Sequence, residues 1–317
     1  TVLAQWYTAP CKESFFTEQK GRYGLEVKST LYNGPYVISL YNAGKEIRLR
    51  QNPNYHSEQP AELYGINITL GSTDTLAAFT EGDSFYTQVP RESVDSLRDA
   101  VITEYADTTY ALVVNTSRSL LGNESVRLAI CGAIDQEGIA GVLPEEQSTT
   151  TDLVPETASE RTLDYRDTAG HRTALTLTED ARTLFREGLA AEGEQKLPFT
   201  ELLVPDTQTD RQAAGIIQGC WQNTLGASIN VMPLSVDELW QRVYAGDYDM
   251  ALLPLSDSTA MGLLEDFASD TDRYCTGWQS EEYDALLDQA AAETGEQAVR
   301  TLAQAEQLLL RSGVVLP

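Results

Sequence analysis

Histidine is nearly absent from this sequence: His56 and His171 are the only two. A His-based triad or metal site would have to use one of them, and neither has a companion ligand at helical spacing. His56 follows Asn52-Pro53-Asn54-Tyr55, where a surface turn accounts for it. Also missing are a GxSxG elbow, a P-loop and a GxGxxG turn after a strand. Paired carboxylates are abundant, but in a chain this acidic their pairing carries almost no information. The expectation is a protein that is not an enzyme and holds no cofactor and no metal.

Positive charge is scarce as well. Against 48 Asp+Glu stand 22 Lys+Arg, for a net charge of −26. A field of that sign repels polyphosphates, which excludes nucleic acid and anionic lipid as main partners. No run approaches the ~20 apolar residues that cross a bilayer. The beginning, Thr1-Val2-Leu3-Ala4-Gln5-Trp6, has none of the regions of a signal peptide. With no initial Met and an apolar close at Val314-Val315-Leu316-Pro317, the chain reads as a segment of a longer protein. Its four cysteines, Cys11, Cys131, Cys220 and Cys275, form no CxxC pair, so zinc-ribbon and thioredoxin motifs are excluded. Cys131 and Cys220 sit among helix-forming apolar residues and read as small buried hydrophobes. A disulfide through Cys131 or Cys275 stays open, because spacing does not choose a partner.

What is present is apolar material for a core, at 42% hydrophobic residues, in a 317-residue chain long enough for two domains. The first third reads as short strands: 35–40, then 46–50 alternating apolar and charged residues, then 65–70, followed by a helix over 73–80 ending near Gly82. From Asn115 the texture changes. Asn123 is placed to cap a helix over 124–134, residues 145–172 read as a long surface connection with at most short local structure, and a helix that follows Thr178, through Ala181, Leu184, Phe185 and Leu189, stops near Gly193. Strands at 199–204, 229–234 and 249–255 then alternate with helices at 211–224 and 237–245, the latter closed by Gly246. This β-α-β-α-β order predicts parallel strands with crossover helices, whose ligands gather at the carboxyl ends of the strands. Helices over 280–293 and 296–312 follow, the second with Leu302, Ala305, Leu308 and Leu309 on one stripe. Three glycosylation sequons, at Asn67, Asn115 and Asn123, are given no function.

Several motifs occur together in order. Asn33-Gly34-Pro35-Tyr36, Gly44-Lys45-Glu46-Ile47-Arg48-Leu49 and Asn52-Pro53-Asn54-Tyr55 are followed by Asn115, Val126-Arg127-Leu128-Ala129-Ile130 and Ala133-Ile134-Asp135. Leu225-Gly226 with Ile229-Asn230-Val231, Gly246-Asp247-Tyr248-Asp249-Met250, Tyr283-Asp284-Ala285-Leu286-Leu287 and Glu306-Gln307-Leu308-Leu309 complete the set. This series resembles the family-5 solute-binding proteins, the oligopeptide- and dipeptide-binding components of bacterial ABC importers. The resemblance implies an α/β, two-lobed periplasmic-binding-protein-like fold (class II, cluster C type) with an incomplete first lobe. It places the later part of lobe I at 1–115, lobe II at 116–312 and the start of a return to lobe I at 313–317. It further implies a monomer, periplasmic or lipid-anchored outside the cell membrane, that captures a peptide between two lobes and hands it to permease subunits. Alternatives on the same fold are a nickel chelate, opine or oligosaccharide as ligand, or a ligand-sensing surface receptor.

Most of these motif residues also have structural readings. Gly34-Pro35 is a turn before a strand. Arg127, near Glu124 and Asp135, is expected in a structural ion pair or hinge contact. Five residues remain as candidates for binding. Asp257 follows the 249–255 strand and is similar in position to a family aspartate that meets a ligand's α-ammonium; alternatively, Asp257 or Ser258 simply caps the helix beginning near Thr259. Around it this sequence departs from the family, with Pro254 at a usual Trp and Ala260 at a usual acidic position. Among 15 Tyr and 4 Trp, mostly core, Tyr274 and Trp278 are the candidates to line a ligand site. Asn115 completes the set at the expected hinge.

Overall fold

The computed structural model describes residues 11–317 apart from 57–60, 71–73, 83, 88, 90, 95–96, 98–99, 104–105 and 178. Two expected helix boundaries, Thr73 and Thr178, lie outside the described residues. The chain divides into two compact units, Thr1–Ala100 and Val101–Pro317. The strand leading to Asn115 belongs to the sheet of the second unit.

In the first unit, helix α1 (Glu13–Glu18) precedes an antiparallel sheet of β1 (Tyr36–Asn42), β2 (Glu46–Gln51) and β3 (Gly65–Thr69), in that order. Gly44 takes the positive φ (+69°) that the tight β1–β2 turn requires. Registers Ile38↔Leu49, Leu49↔Ile66 and Ile47↔Ile68 gather the apolar residues on one face, as the alternation predicts. The Asn-Gly-Pro-Tyr and Asn-Pro-Asn-Tyr motifs meet here. Asn52 is buried and donates from Nδ2 to the carbonyls of Gly34 (2.9 Å) and Tyr32 (3.3 Å), while its amide donates to Pro35 O (2.8 Å). Helices α2 (Thr75–Thr80), capped by Asp74, and α3 (Arg91–Val94) follow.

In the second unit, β4 (Thr109–Val114) leads to α4 (Glu124–Gly132), where Asn123 Oδ1 accepts the Val126 amide as the cap, and to α5 (Gln136–Ala140). A small hairpin, β5 (Ser159–Glu160) and β6 (Leu163–Asp164), and α6 (Tyr165–Ala169) precede α7 (Ala181–Ala191). Next come β7 (Glu201–Pro205), α8 (Gln208–Cys220), β8 (Asn230–Leu234), α9 (Val236–Tyr244) and β9 (Met250–Leu255). Helix α10 (Ala260–Glu265), α11 (Glu281–Ala292), α12 (Glu296–Arg311) and β10 (Val315–Leu316) complete the unit. The sheet order is β10-β4-β9-β7-β8, with β7 parallel to β8 and β9 and the other two pairs antiparallel. The expected parallel core is therefore present, extended by two antiparallel strands. Residues 315–316 pair with β4 in this sheet.

Both faces of the sheet are covered, which is why its strands are apolar at successive positions. Ala111, Val113, Leu203, Ala251 and Leu253 pack toward α9, α10, α11 and α12; Leu112, Val114, Leu202, Val204 and Met250 pack toward α4, α7 and α8. Helix α8 ends in a π turn over Trp221–Leu225 that is stopped by Gly226 (φ +69°), and the fully buried Trp221 donates from Nε1 to Ile130 O at 2.9 Å.

Three expectations are corrected. Residues 145–149 are exposed as expected, but 152–172 are not a surface connection: Leu153, Val154, Ala158 and Tyr165 are core, and Asp152, Glu160 and Arg166 are buried with them. Outside the short β5–β6 hairpin and the five-residue α6, side chains satisfy part of the segment's backbone: Glu306 accepts the amides of Leu153 and Val154, each at 2.9 Å. Of the two roles expected for Arg127, the ion pair is not formed among the described residues. Its guanidinium donates to the carbonyls of Leu121 (3.0 Å), Gly122 (2.8 Å) and Ser312 (3.3 Å). Of the two cysteines expected in the core, Cys131 is buried and Cys220 only half-buried, and all four thiols are free.

Candidate functional site

The carboxyl ends of the parallel strands form one edge of the sheet in the second unit. Pro205 leads to Asp206 and Thr207, Leu234 to Ser235, and Leu255 to Ser256, Asp257 and Ser258. The antiparallel β4 starts at the same edge, since Thr109 pairs with Leu255. Two further segments converge here. Ser256 Oγ donates to Asp107 O (2.5 Å), and the Ser159 amide donates to Ser258 O (3.0 Å).

Asp257 is half-buried, and its Oδ1 accepts the Thr259 amide (2.8 Å) and the Thr259 hydroxyl (3.0 Å). Thr259, not Asp257 or Ser258, is the cap of α10, with Oγ1 accepting the Gly262 amide at 3.1 Å. Asp257 thus braces the cap from one residue further out, while Ser258 is exposed. Among the described residues, no donor reaches Asp257 Oδ2 within hydrogen-bond distance.

Tyr110 was not singled out by sequence reasoning. It pairs with Pro254 at this edge and is half-exposed amid buried neighbours on β4. Partial burial, and then the charge of Asp210 in the first turn of α8, push its phenol above the ordinary tyrosine value. Asp210 itself is buried and accepts the Thr207 hydroxyl at 2.6 Å. The available signal was one aromatic with a polar tip beginning the run Tyr110-Ala111-Leu112-Val113-Val114.

The five candidate residues do not assemble. Asn115 lies past the other end of β4, about 20 Å from the Asp257 edge at ~3.3 Å per strand residue. It is 1% exposed, and its side chain is fully engaged: Nδ2 donates to Tyr248 O (3.0 Å) and Gly246 O (3.3 Å), and Oδ1 accepts the Ser117 amide (3.0 Å). That chemistry locks β4 to the start of β9. Tyr274 is buried between the rings of Phe267 and Trp240, at 5.0 and 6.2 Å, with its hydroxyl donating to Asp266 Oδ2 at 2.9 Å. Burial and the Asp266 charge push its phenol up. Half-buried Trp278 sets its ring against Tyr283 at 5.1 Å. A cleft of about 310 Å³ does exist beside Asn115, Arg118, Gly246 and Asp272. The acceptors of Asp272 are spent there on Thr276 and the Gly277 amide.

No group of three or more metal-ligating side chains occurs among the described residues, and no described helix is long and apolar enough to cross a membrane.

Comparison with known proteins adds to this geometry. The sequence profile of the bacterial extracellular solute-binding proteins, family 5, matches residues 2–274. The chain is 25% identical over 300 residues to a dipeptide-binding protein of Bacillus subtilis, covering 90% of this chain and 54% of that protein. It is 22% identical over 306 residues to a probable deoxycholate-binding periplasmic protein of Escherichia coli, covering 92% and 55%. Among solved structures, the Listeria monocytogenes oligopeptide-binding protein OppA bound to peptide superposes with a TM-score of 0.61 at 20% identity, covering 97% of this chain and 62% of that one. The chain therefore spans between half and two thirds of the length of these proteins, and the fold of its residues is theirs.

Proposed function

The chain belongs to the bacterial extracellular solute-binding proteins, family 5, and from that premise we propose that it is part of the peptide-binding subunit of an ABC importer. The observation that carries this reading is the profile match across residues 2–274. The dipeptide-binding relative and the peptide-bound OppA support peptide as the solute class. The protein works outside the cytoplasm, as a monomer, in the periplasm or on a lipid anchor, and passes its solute to permease subunits without covalent chemistry. Its first unit corresponds to the later part of lobe I and its second to lobe II.

Within the second unit, the ligand-holding edge is the one where Asp257 and Ser258 follow β9. Parallel sheets present their ligands at that edge. A half-buried carboxylate with an unspent oxygen is matched by a ligand ammonium, which supplies both charge and N–H donors. Asn115, Tyr274 and Trp278 hold the fold and do not touch the solute. Calorimetric titration with di- to pentapeptides tests the reading: heat saturating at one site per chain is expected, and no heat with any peptide overturns it.

A second reading has its own support. The probable deoxycholate-binding relative, at similar identity and coverage, supports a non-peptide solute, and Pro254 and Ala260 depart from the Trp and the acidic residue that the family resemblance implies there. Binding of deoxycholate that is unchanged by Asp257→Ala, with no peptide binding, would select it.

A further inference from the structure

Position 262 is glycine in the first turn of α10, where alanine is intrinsically the better helix former. Its φ is not in the left-handed region that calls for glycine. What the site lacks is room. A Cβ there would lie 2.7 Å from Asp257 Oδ1, 2.8 Å from Asp257 Cγ and 2.8 Å from Thr259 Oγ1, well inside the ~3.5 Å of a favourable non-bonded contact. The carboxylate of Asp257 therefore rests on the space that a side chain at 262 would fill.

Three amides around this turn are already spent. Thr259 N donates to Asp257 Oδ1, Gly262 N to Thr259 Oγ1, and Met261 N to Glu160 Oε2 at 3.2 Å. The turn thus has no anion-binding role for these donors. What it leaves over is an acceptor, Asp257 Oδ2.

We infer that Gly262 is a positioning residue for Asp257: its missing Cβ lets the carboxylate settle on the turn with Oδ1 locked to Thr259 and Oδ2 left for a solute's N–H donors. The inference rests on the reading of this edge as ligand-holding, and it deepens that reading by naming what fixes the geometry of the anchor.

The test is Gly262→Ala in the full chain, with Met261→Ala on the same turn as the control for general loosening of α10. Two measurements are made. Amide hydrogen exchange at Thr259 reports the seat of Asp257 without any ligand, and is expected to speed up about tenfold in Gly262→Ala with the β9 amides unchanged. Titration with trialanine and with N-acetyl-trialanine reports its use. Gly262→Ala is expected to weaken trialanine about tenfold, to leave the acetylated peptide unaffected, and to cause no further loss in an Asp257→Asn background. Unchanged Thr259 exchange overturns the inference, as does a loss equal to that of Met261→Ala or one that persists in full when Asp257 is replaced. Should the wild-type chain bind neither peptide, the functional reading fails by itself, and the exchange measurement alone decides whether Gly262 seats Asp257.

Discussion

Glu306 Oε1 lies 3.1 Å from Arg166 Nη2, and both groups are buried, the carboxylate completely. Around this pair, Tyr165 donates its hydroxyl to Glu306 Oε2 (3.0 Å), Asp152 takes a second bond from Arg166 (3.0 Å), and Arg172 Nε stands 3.4 Å from Glu306. The cluster joins α12 to the irregular segment 152–172. It supplies partners to the Leu153 and Val154 amides, which precede the short elements β5, β6 and α6.

Glu306→Ala should consequently cost more than a surface change. It leaves Arg166 with Asp152, leaves the Arg172 guanidinium with only backbone carbonyls among the described residues, and unpairs the amides of Leu153 and Val154. Removing one partner of a buried ion pair costs roughly 3–5 kcal/mol. Urea unfolding should show the midpoint fall at unchanged slope; a loss below about 1 kcal/mol would mean that the cluster is not a support.

Asn115→Ala should lower stability by roughly 1–3 kcal/mol, because the carbonyls of Tyr248 and Gly246 and the amide of Ser117 lose their partner. Solute affinity of the folded variant should match the wild type. A tenfold weaker affinity at intact fold would return Asn115 to the binding site.

Asp266 ties stability to pH. Burial pushes its carboxyl above the ordinary aspartate value, against the lowering effect of Tyr274 and Arg273. The folded chain then holds a proton there at a pH where the unfolded chain has released it. Its contribution is complete below the unfolded value of about 3.9 and is lost as pH rises through the raised folded value. Asp266→Asn keeps an acceptor for the Tyr274 hydroxyl and removes the titration. Its stability relative to wild type should rise across that window, whereas a constant difference from acid to neutral pH would refute the assignment.

Elements whose sequence period matches their surroundings were legible. The alternation at 46–50, the glycine stop at Gly246 and the β-α-β-α-β order all correspond to local geometry, and the structure contains them. The segment 152–172 was not legible, because its burial is set by Glu306 and Tyr165, side chains that meet across some 140 residues of chain. The position of Asn115 was not legible for a related reason: a hinge motif names a residue but not the end of the sheet at which it stands. The antiparallel additions β4 and β10 left no signal either, since a strand buried on both faces reads the same in either direction.

The thiols should react unequally. Burial pushes the Cys131 thiol up to about 12, whereas Cys11 is exposed. Because the thiolate is the nucleophile, iodoacetamide at pH 8 should label Cys11 within minutes and leave Cys131 unlabelled until denaturant is added, as read by peptide mass spectrometry. Labelling of Cys131 in the folded chain would contradict the packing around α4.

Gly277 marks a close approach of the chain to Ser117 in the second unit. Its φ is +66°, and a Cβ there would overlap Ser117 Oγ and lie 3.3 Å from the Ser117 amide nitrogen. The crossing is held on both sides, by the Thr116 amide donating to Thr276 O (2.6 Å) and the Gly277 amide donating to Asp272 Oδ2 (2.9 Å). Two separate penalties therefore meet in Gly277→Ala: the left-handed backbone, about 1–2 kcal/mol for an L-residue, and the overlap with Ser117. The second penalty is removable and the first is not. Ser117→Ala deletes the offending oxygen while keeping the Cβ, so the double variant should regain part of the loss, with an interaction energy of roughly 0.5–3 kcal/mol favouring the pair. Strict additivity of the two changes would show that the backbone conformation alone demands glycine at this crossing.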